Sequence, residues 1–178
     1  WWSSTPSPTP IASVMMPASF PSRRSDRIIP AFGRRLRHAC SPALLDRLAP
    51  VVANVFGPGD LQIVDTFYSL VTTPPAALAP IQRLPHFDEV SPGRLALLHF
   101  LSPDESSGTG FYRHRSTGFE TVTADRLPSY RAALDADLRH HGLPPPGYIA
   151  GDTPIFEQVA LHQGRFNRAL LYRSNSLH

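Results

Sequence analysis

The chain has 178 residues, 42% of them hydrophobic, which is enough for one domain with a core of its own. Its single cysteine, Cys40, excludes a disulfide framework and any cysteine-based zinc site, and no run approaches the ~18 apolar residues that a membrane helix needs. The net charge of +3 is uneven: residues 1–47 hold seven Arg against Asp26 and Asp46, a balance of +5, and residues 48–178 hold ten Arg against twelve acids, a balance of −2.

All 17 basic residues are arginine, and with 20 prolines the composition reads as coding bias more than function. The basic front end reads as a solvated Arg-rich flank in preference to a nucleic-acid surface, because no aromatic interleaving or binding module accompanies it. A cytoplasmic location without membrane attachment is the corresponding expectation. Residues 1–25 are rich in Ser, Thr and Pro and contain no acid, so the composition predicts a disordered segment. It shares an acid-poor, Ser- and Arg-bearing character with transit peptides, but shows no amphipathic period. Met15 or Met16 is a candidate start. Trp1 and the strand-like His178 read as the ends of a fragment.

From residue 26 a single domain is predicted, with a helical lead-in at 41–57 and a β core over 60–178. Ser41-Pro42 opens the helix with a capping hydroxyl and a proline at its first position. Leu44, Leu45 and Leu48 form a stripe, Pro50 breaks or restarts it, and Val51, Val52 and Val55 continue an apolar face up to Gly57-Pro58. The period then changes to two over Leu61–Thr73, the mark of a strand. Ile81–Asp88 is expected as the next strand, and Leu95–Leu101 as one covered on both faces. Phe111–Val122 reads as strand, turn, strand. Asp125–His141 is a helix whose Leu127, Tyr130, Leu134 and Leu138 share one face, capped by Gly142. Phe156–Gln163 and Arg168–His178 are expected to pair as a hairpin around Gly164–Asn167. About seven strands and two helices make the class mainly β with flanking helices (α+β), a sandwich or barrel instead of alternating βαβ units.

The residues that point to chemistry are His86-Phe87-Asp88 and His178. On an extended strand, His86 and Asp88 offer an imidazole and a carboxylate to one side, with Phe87 turned to the other. A third ligand must come from a distant strand, and His178 ends an apolar one. Two histidines and a carboxylate with open positions form the facial triad of non-haem Fe(II) oxygenases. Elsewhere, His99 reads as a hydrogen-bonded core histidine, and His140 and His141 as groups favoured by a helix C-terminus. Asp152 and Glu157 are polar neighbours that nothing ties to a metal.

Four stretches in this order resemble the Fe(II)/2-oxoglutarate-dependent dioxygenases, in particular the prolyl-hydroxylase-like branch: His86-Phe87-Asp88, the apolar strand Leu95–Leu101, the Gly-rich turn Ser107–Tyr112, and Arg168–Tyr172 running on to His178. The stretch Gly108–Gly118 also resembles an uncharacterised bacterial family assigned to that superfamily. The resemblance covers roughly residues 60–178. It implies a double-stranded β-helix (jelly-roll), incomplete at its C-terminal end. It further implies that His86, Asp88 and His178 are catalytic residues binding Fe(II), with 2-oxoglutarate as cosubstrate and a small molecule or peptide as substrate. The basic residue that holds the far carboxylate of 2-oxoglutarate in these enzymes follows the distal histidine and has no counterpart here. Arg113 and Arg115, beside Tyr112, are the candidates for the cosubstrate instead; a surface ion-paired strand is the competing reading. A non-catalytic jelly-roll that binds a metal or ligand stays open beside the oxygenase, as does a nucleic-acid-associated protein led by its basic front.

Overall fold

Pro42 needs no hydrogen bond for its missing N–H, and it opens α1 (Pro42–Phe56) in a computed structural model that describes residues 9–17, 33–37, 42–103 and 107–178. The helix runs through Pro50 without stopping, at the loss of one ladder bond. Gly57, at φ +97°, ends it. Leu44, Leu45, Leu48, Val52 and Phe56 form its packed face, whereas Val51 and Val55 point to solvent.

That face covers a five-stranded antiparallel sheet built from β1 (Thr9–Pro17), β2 (Gly33–Arg37), β3 (Asp65–Val71), β4 (Arg94–Phe100) and β7 (Ala169–Arg173). The spatial order is β2-β3-β1-β4-β7. Leu95 and Leu97 of β4, with Leu171 of β7, meet α1. By strand alternation, Ala96, Leu98 and Phe100, with Tyr172 opposite Ala96, lie on the other face. The double burial expected for Leu95–Leu101 is present: Leu95 through Leu98 and Phe100 are all buried.

A second antiparallel pair, β5 (Gly108–His114) and β6 (Phe156–Gln163), carries α2 (Leu127–His141) on its far side. Tyr112, His114 and Phe156 point from this pair toward α2, and Tyr130 is the buried residue of the helix. Gly142 closes α2 at φ +79°, donating its N–H to Leu138 O at 3.0 Å. On the near side, the Phe111 ring meets Tyr172 of the larger sheet edge-on at 5.2 Å. The molecule is therefore α+β, with antiparallel sheets of five and two strands and two α-helices among the described residues. None of these helices is long and apolar enough to cross a membrane.

Four expectations change. Thr9–Pro17 falls inside the stretch predicted to be disordered, yet β1 sits in the middle of the larger sheet, paired with β3 on one edge and β4 on the other. A ladder on both edges supplies what the Ser/Pro-rich composition does not reveal; the rest of 1–25, and Cys40, lie outside the described residues. The β core consequently draws on residues well before 60, including β2 in the basic flank. Ile81–Asp88 is not a strand: residues Pro80–Arg83 form a 3-10 turn, favoured by Pro80 at its start, and Pro85 lacks the N–H of a ladder residue. The hairpin of Phe156–Gln163 with Arg168–His178 does not form, since β6 pairs with β5 and β7 with β4. The connection between them crosses from one sheet to the other, and a side chain at Gly164 would collide there with Ser107 Oγ at 2.7 Å and the Phe100 ring at 3.0 Å. Finally, the Gly-rich stretch Ser107–Tyr112 is mostly strand β5; Gly108 lets β6 approach, as a Cβ there would lie 2.7 Å from His162 O.

Candidate metal centre

His86 and His178 are held by the backbone before their side chains enter the account. His86 N–H donates to His178 O at 2.8 Å, and His178 N–H donates to His86 O at 2.9 Å. Such a mutual pair sets two residues directly opposite each other with side chains on one side. This local pairing, and not the strand expected over Ile81–Asp88, places His86 beside His178. Asp88 is fixed by its own N–H, which donates to Ser174 O at 2.8 Å. The segment carrying His178 is tied on further sides: Tyr112 N–H donates to Leu177 O, Leu177 N–H to Glu120 O, and Val122 N–H to Asn175 O. Phe87 packs on the α2 side, where its ring meets Tyr130 at 6.0 Å.

The three side chains predicted as ligands converge. One ligating atom from each of His86, Asp88 and His178 lies within 4.8 Å of the others. His86 Nε2 is 3.8 Å from Asp88 Oδ1, and His178 Nε2 is 3.9 Å from Asp88 Oδ2. The imidazole centroids are 4.4 Å apart. Neighbouring ligands of an ion with bonds of about 2.1 Å stand about 3 Å apart, so the two contacts of Asp88 would each close by about 1 Å in a coordination shell. All three are largely covered, with side-chain exposures of 23%, 14% and 8% for His86, Asp88 and His178.

His178 Nδ1 lies 2.9 Å from Ser176 O, a carbonyl that only accepts, so in the neutral ring Nδ1 carries the proton and Nε2 keeps the lone pair that a ligand needs. That lone pair is met by the hydroxyl of Tyr172 at 3.3 Å. Burial, with the nearby charge of Asp88, pushes the Tyr172 phenol well above its usual range, so it stays protonated and donates. Phe111 and His162 continue the aromatic wall, their rings 5.8 Å apart and Phe111 6.2 Å from His178.

The residues proposed for the cosubstrate have other partners. Arg113 binds Glu120 at 2.5 Å and Glu157 at 3.1 Å. Arg115 binds Asp152 Oδ2 and Thr153 O, both at 3.0 Å. Tyr112 is buried on the α2 side, where its hydroxyl donates to Ile149 O at 3.3 Å and burial raises its pKa. His99 bonds Asn167 Oδ1 at 2.9 Å, as a structural histidine would. His140 and His141 occupy the last turn of α2.

Sequence reasoning passed over two features. Tyr172 shares strand parity with His178, six residues on, which was the available signal. His114 is fully buried, with Nε2 3.0 Å from Asp137 Oδ2 and Nδ1 2.9 Å from Thr117 Oγ1. Ser116 Oγ donates to the same Asp137 oxygen at 2.6 Å. Only long-range pairing of β5 with α2 creates that group, and no local pattern announces it.

Fold and site together define an α+β protein with two imidazoles and a carboxylate gathered from backbone segments distant in sequence. The chain belongs to a family of unknown function (DUF6445), whose model matches residues 12–178. No curated protein and no solved structure matches it.

Proposed function

We propose that the protein is an Fe(II)- and 2-oxoglutarate-dependent oxygenase acting on a small molecule or peptide, with its site inside a jelly-roll. The observation that carries this reading is the approach of one ligating atom each of His86, Asp88 and His178 to within 4.8 Å, with His178 Nδ1 held on Ser176 O so that Nε2 faces the other two. Two nitrogen donors and one carboxylate suit Fe(II) with open positions, and this is not a cysteine site for a softer ion. Two facing sheets with their contact at Phe111 and Tyr172 are consistent with a jelly-roll. A cytoplasmic setting fits the ferrous ion.

When bound, Fe(II) supplies the redox chemistry that couples O2 and 2-oxoglutarate to oxidation of the substrate. The chain's own tasks are geometric. The backbone pair of His86 with His178 sets two ligands side by side. Ser176 O orients the His178 ring. Phe87, packed on Tyr130, holds the turn that presents His86 and Asp88. Phe111 and Tyr172 keep water from one side of the ligands.

The test is a titration with Fe(II) under anaerobic conditions, followed by NMR measurement of succinate formed from 2-oxoglutarate after air is admitted. Wild-type protein should bind one ion and form succinate slowly even without substrate; Asp88→Ala should do neither. Absence of binding in the wild type would refute the reading. The second reading, a metal-binding jelly-roll without oxygenase activity, is favoured by one observation. The guanidinium groups of Arg113 and Arg115 already serve Glu120, Glu157 and Asp152, so either would have to leave a carboxylate to hold the cosubstrate. Tight metal binding with no succinate would select it.

A further inference from the structure

We propose that a cavity beside α1, on the face of the larger sheet turned away from the candidate metal centre, binds a small free α-amino acid with an apolar side chain. The inference stands apart from the metal-binding reading and does not depend on it.

The cavity has a volume of about 80 Å³ and lies between the last turn of α1, the loop that follows it, and β7. Its floor is apolar: Val52 and Leu95 are buried there, and Phe56 and Leu61 stand beside them. Two charges of opposite sign share this lining. Arg173 has the strand parity of Leu171, so its side chain lies on the α1 face, where its guanidinium carbon is 5.3 Å from the centre of the Phe56 ring. Its Nη1 donates to Pro92 O at 2.8 Å. Among the described residues no other hydrogen bond holds the guanidinium, and the exposed carboxylate of Asp60 makes no ion pair. Arg173 and Asp60 therefore line one cavity without neutralising each other.

That arrangement selects the charge pattern of a guest. A simple anion would be drawn to Arg173 and repelled by Asp60, and a simple cation the reverse. A zwitterion answers both. The carboxylate of an α-amino acid takes the open N–H groups of Arg173, and its ammonium donates to Asp60, each through charge-assisted bonds. The short side chain is left to the apolar floor at Val52 and Leu95, the division of labour usual in small-molecule sites. Size then selects among amino acids. At ~15 Å³ for each water-sized group, the cavity holds about five such groups, which suits alanine and is too little for leucine.

The probe is L-alanine, titrated into the nitrogen-15-labelled chain and followed by NMR at the amides of Gly57 and Gly93, which line the cavity, and at Arg173 Nε–H. These signals should move together and reach half-saturation at about 1 mM, a value within reach of a ligand this small. Propionate, which lacks the ammonium, and ethylamine, which lacks the carboxylate, should each bind about 10-fold more weakly. L-Leucine should leave the signals in place. Asp60→Asn changes an exposed residue and should act in two directions: alanine binds about 10-fold more weakly, whereas propionate binds more tightly than to wild type because the like charge is gone. No movement with alanine up to about 20 mM would overturn the proposal, leaving a cavity that holds water alone. Propionate or leucine binding as tightly as alanine would overturn it too, as would an Asp60→Asn variant with unchanged alanine affinity. All arms use metal-free protein, so their failure leaves the metal-binding reading untouched.

Discussion

A carboxylate 3.8 and 3.9 Å from two imidazole nitrogens has different consequences with and without an ion. Without one, Asp88 contributes little that its backbone bond to Ser174 does not, so Asp88→Ala should change metal-free stability by less than about 1 kcal/mol in urea unfolding, while abolishing metal binding. Arg113 presents the reverse pattern. It bridges Glu120 and Glu157 on a side chain 41% exposed, and exposed ion pairs contribute little to stability. Arg113→Ala should therefore leave the urea midpoint nearly unchanged and leave Co(II) affinity unchanged in a titration. At this scale the convergence of His86, Asp88 and His178 was legible, although His-x-Asp alone is common, because the order of the stretches that resemble the dioxygenases pointed to the third residue. Tyr172 was not, because an aromatic residue in an apolar strand has the same appearance whether it fills space or donates a hydrogen bond.

Between elements, the buried contact of His114 with Asp137 is what ties α2 to β5, with Tyr130 and Phe156 packed on the imidazole at 5.2 Å each. Burial pushes the His114 pKa below the usual imidazole value, and Asp137 opposes this only in part. The unfolded chain then takes up a proton, as pH falls below about 6.5, that folded His114 refuses; stability is full above that pH and declines below it, by at most about 1.4 kcal/mol per pH unit. Thermal unfolding of wild type should show this acid loss beyond that of His114→Phe, and identical profiles would refute it. A second expectation concerns β1. A chain beginning at residue 18 would strip β3 and β4 of a shared partner and leave both edges open; light scattering should show it aggregated, where a dispensable segment would leave a monodisperse protein. Helices α1 and α2 were readable from their stripes and end signals, β3 from alternation, β4 from its unbroken apolar run, and β5 to β7 within a few residues, while the strand expected over Ile81–Asp88 did not form. The strand β1 and the separation of β6 from β7 were not, since partner choice between strands is a long-range matter that periodicity does not encode.

Across the whole molecule, the site joins residues 86–88 to residue 178, and the single cysteine offers no covalent link to do so. An ion bound only by the folded chain would stabilise it by about 2.7 kcal/mol at a hundredfold excess over the dissociation constant. Scanning calorimetry should show the transition rising with Co(II), falling back with a chelator, and insensitive to both in Asp88→Ala. The backbone pair of His86 with His178 has a further consequence, one of timing. The ribosome releases His86 and Asp88 long before residues 174–178, and the turn they sit on takes its hydrogen bonds from Ser174 and His178. During synthesis an ion meets two loosely held ligands at most, so it cannot nucleate the domain. An ion would be recruited only after β7 and residues 174–178 have docked, so nascent chains stalled before residue 174 should carry no metal through gel filtration.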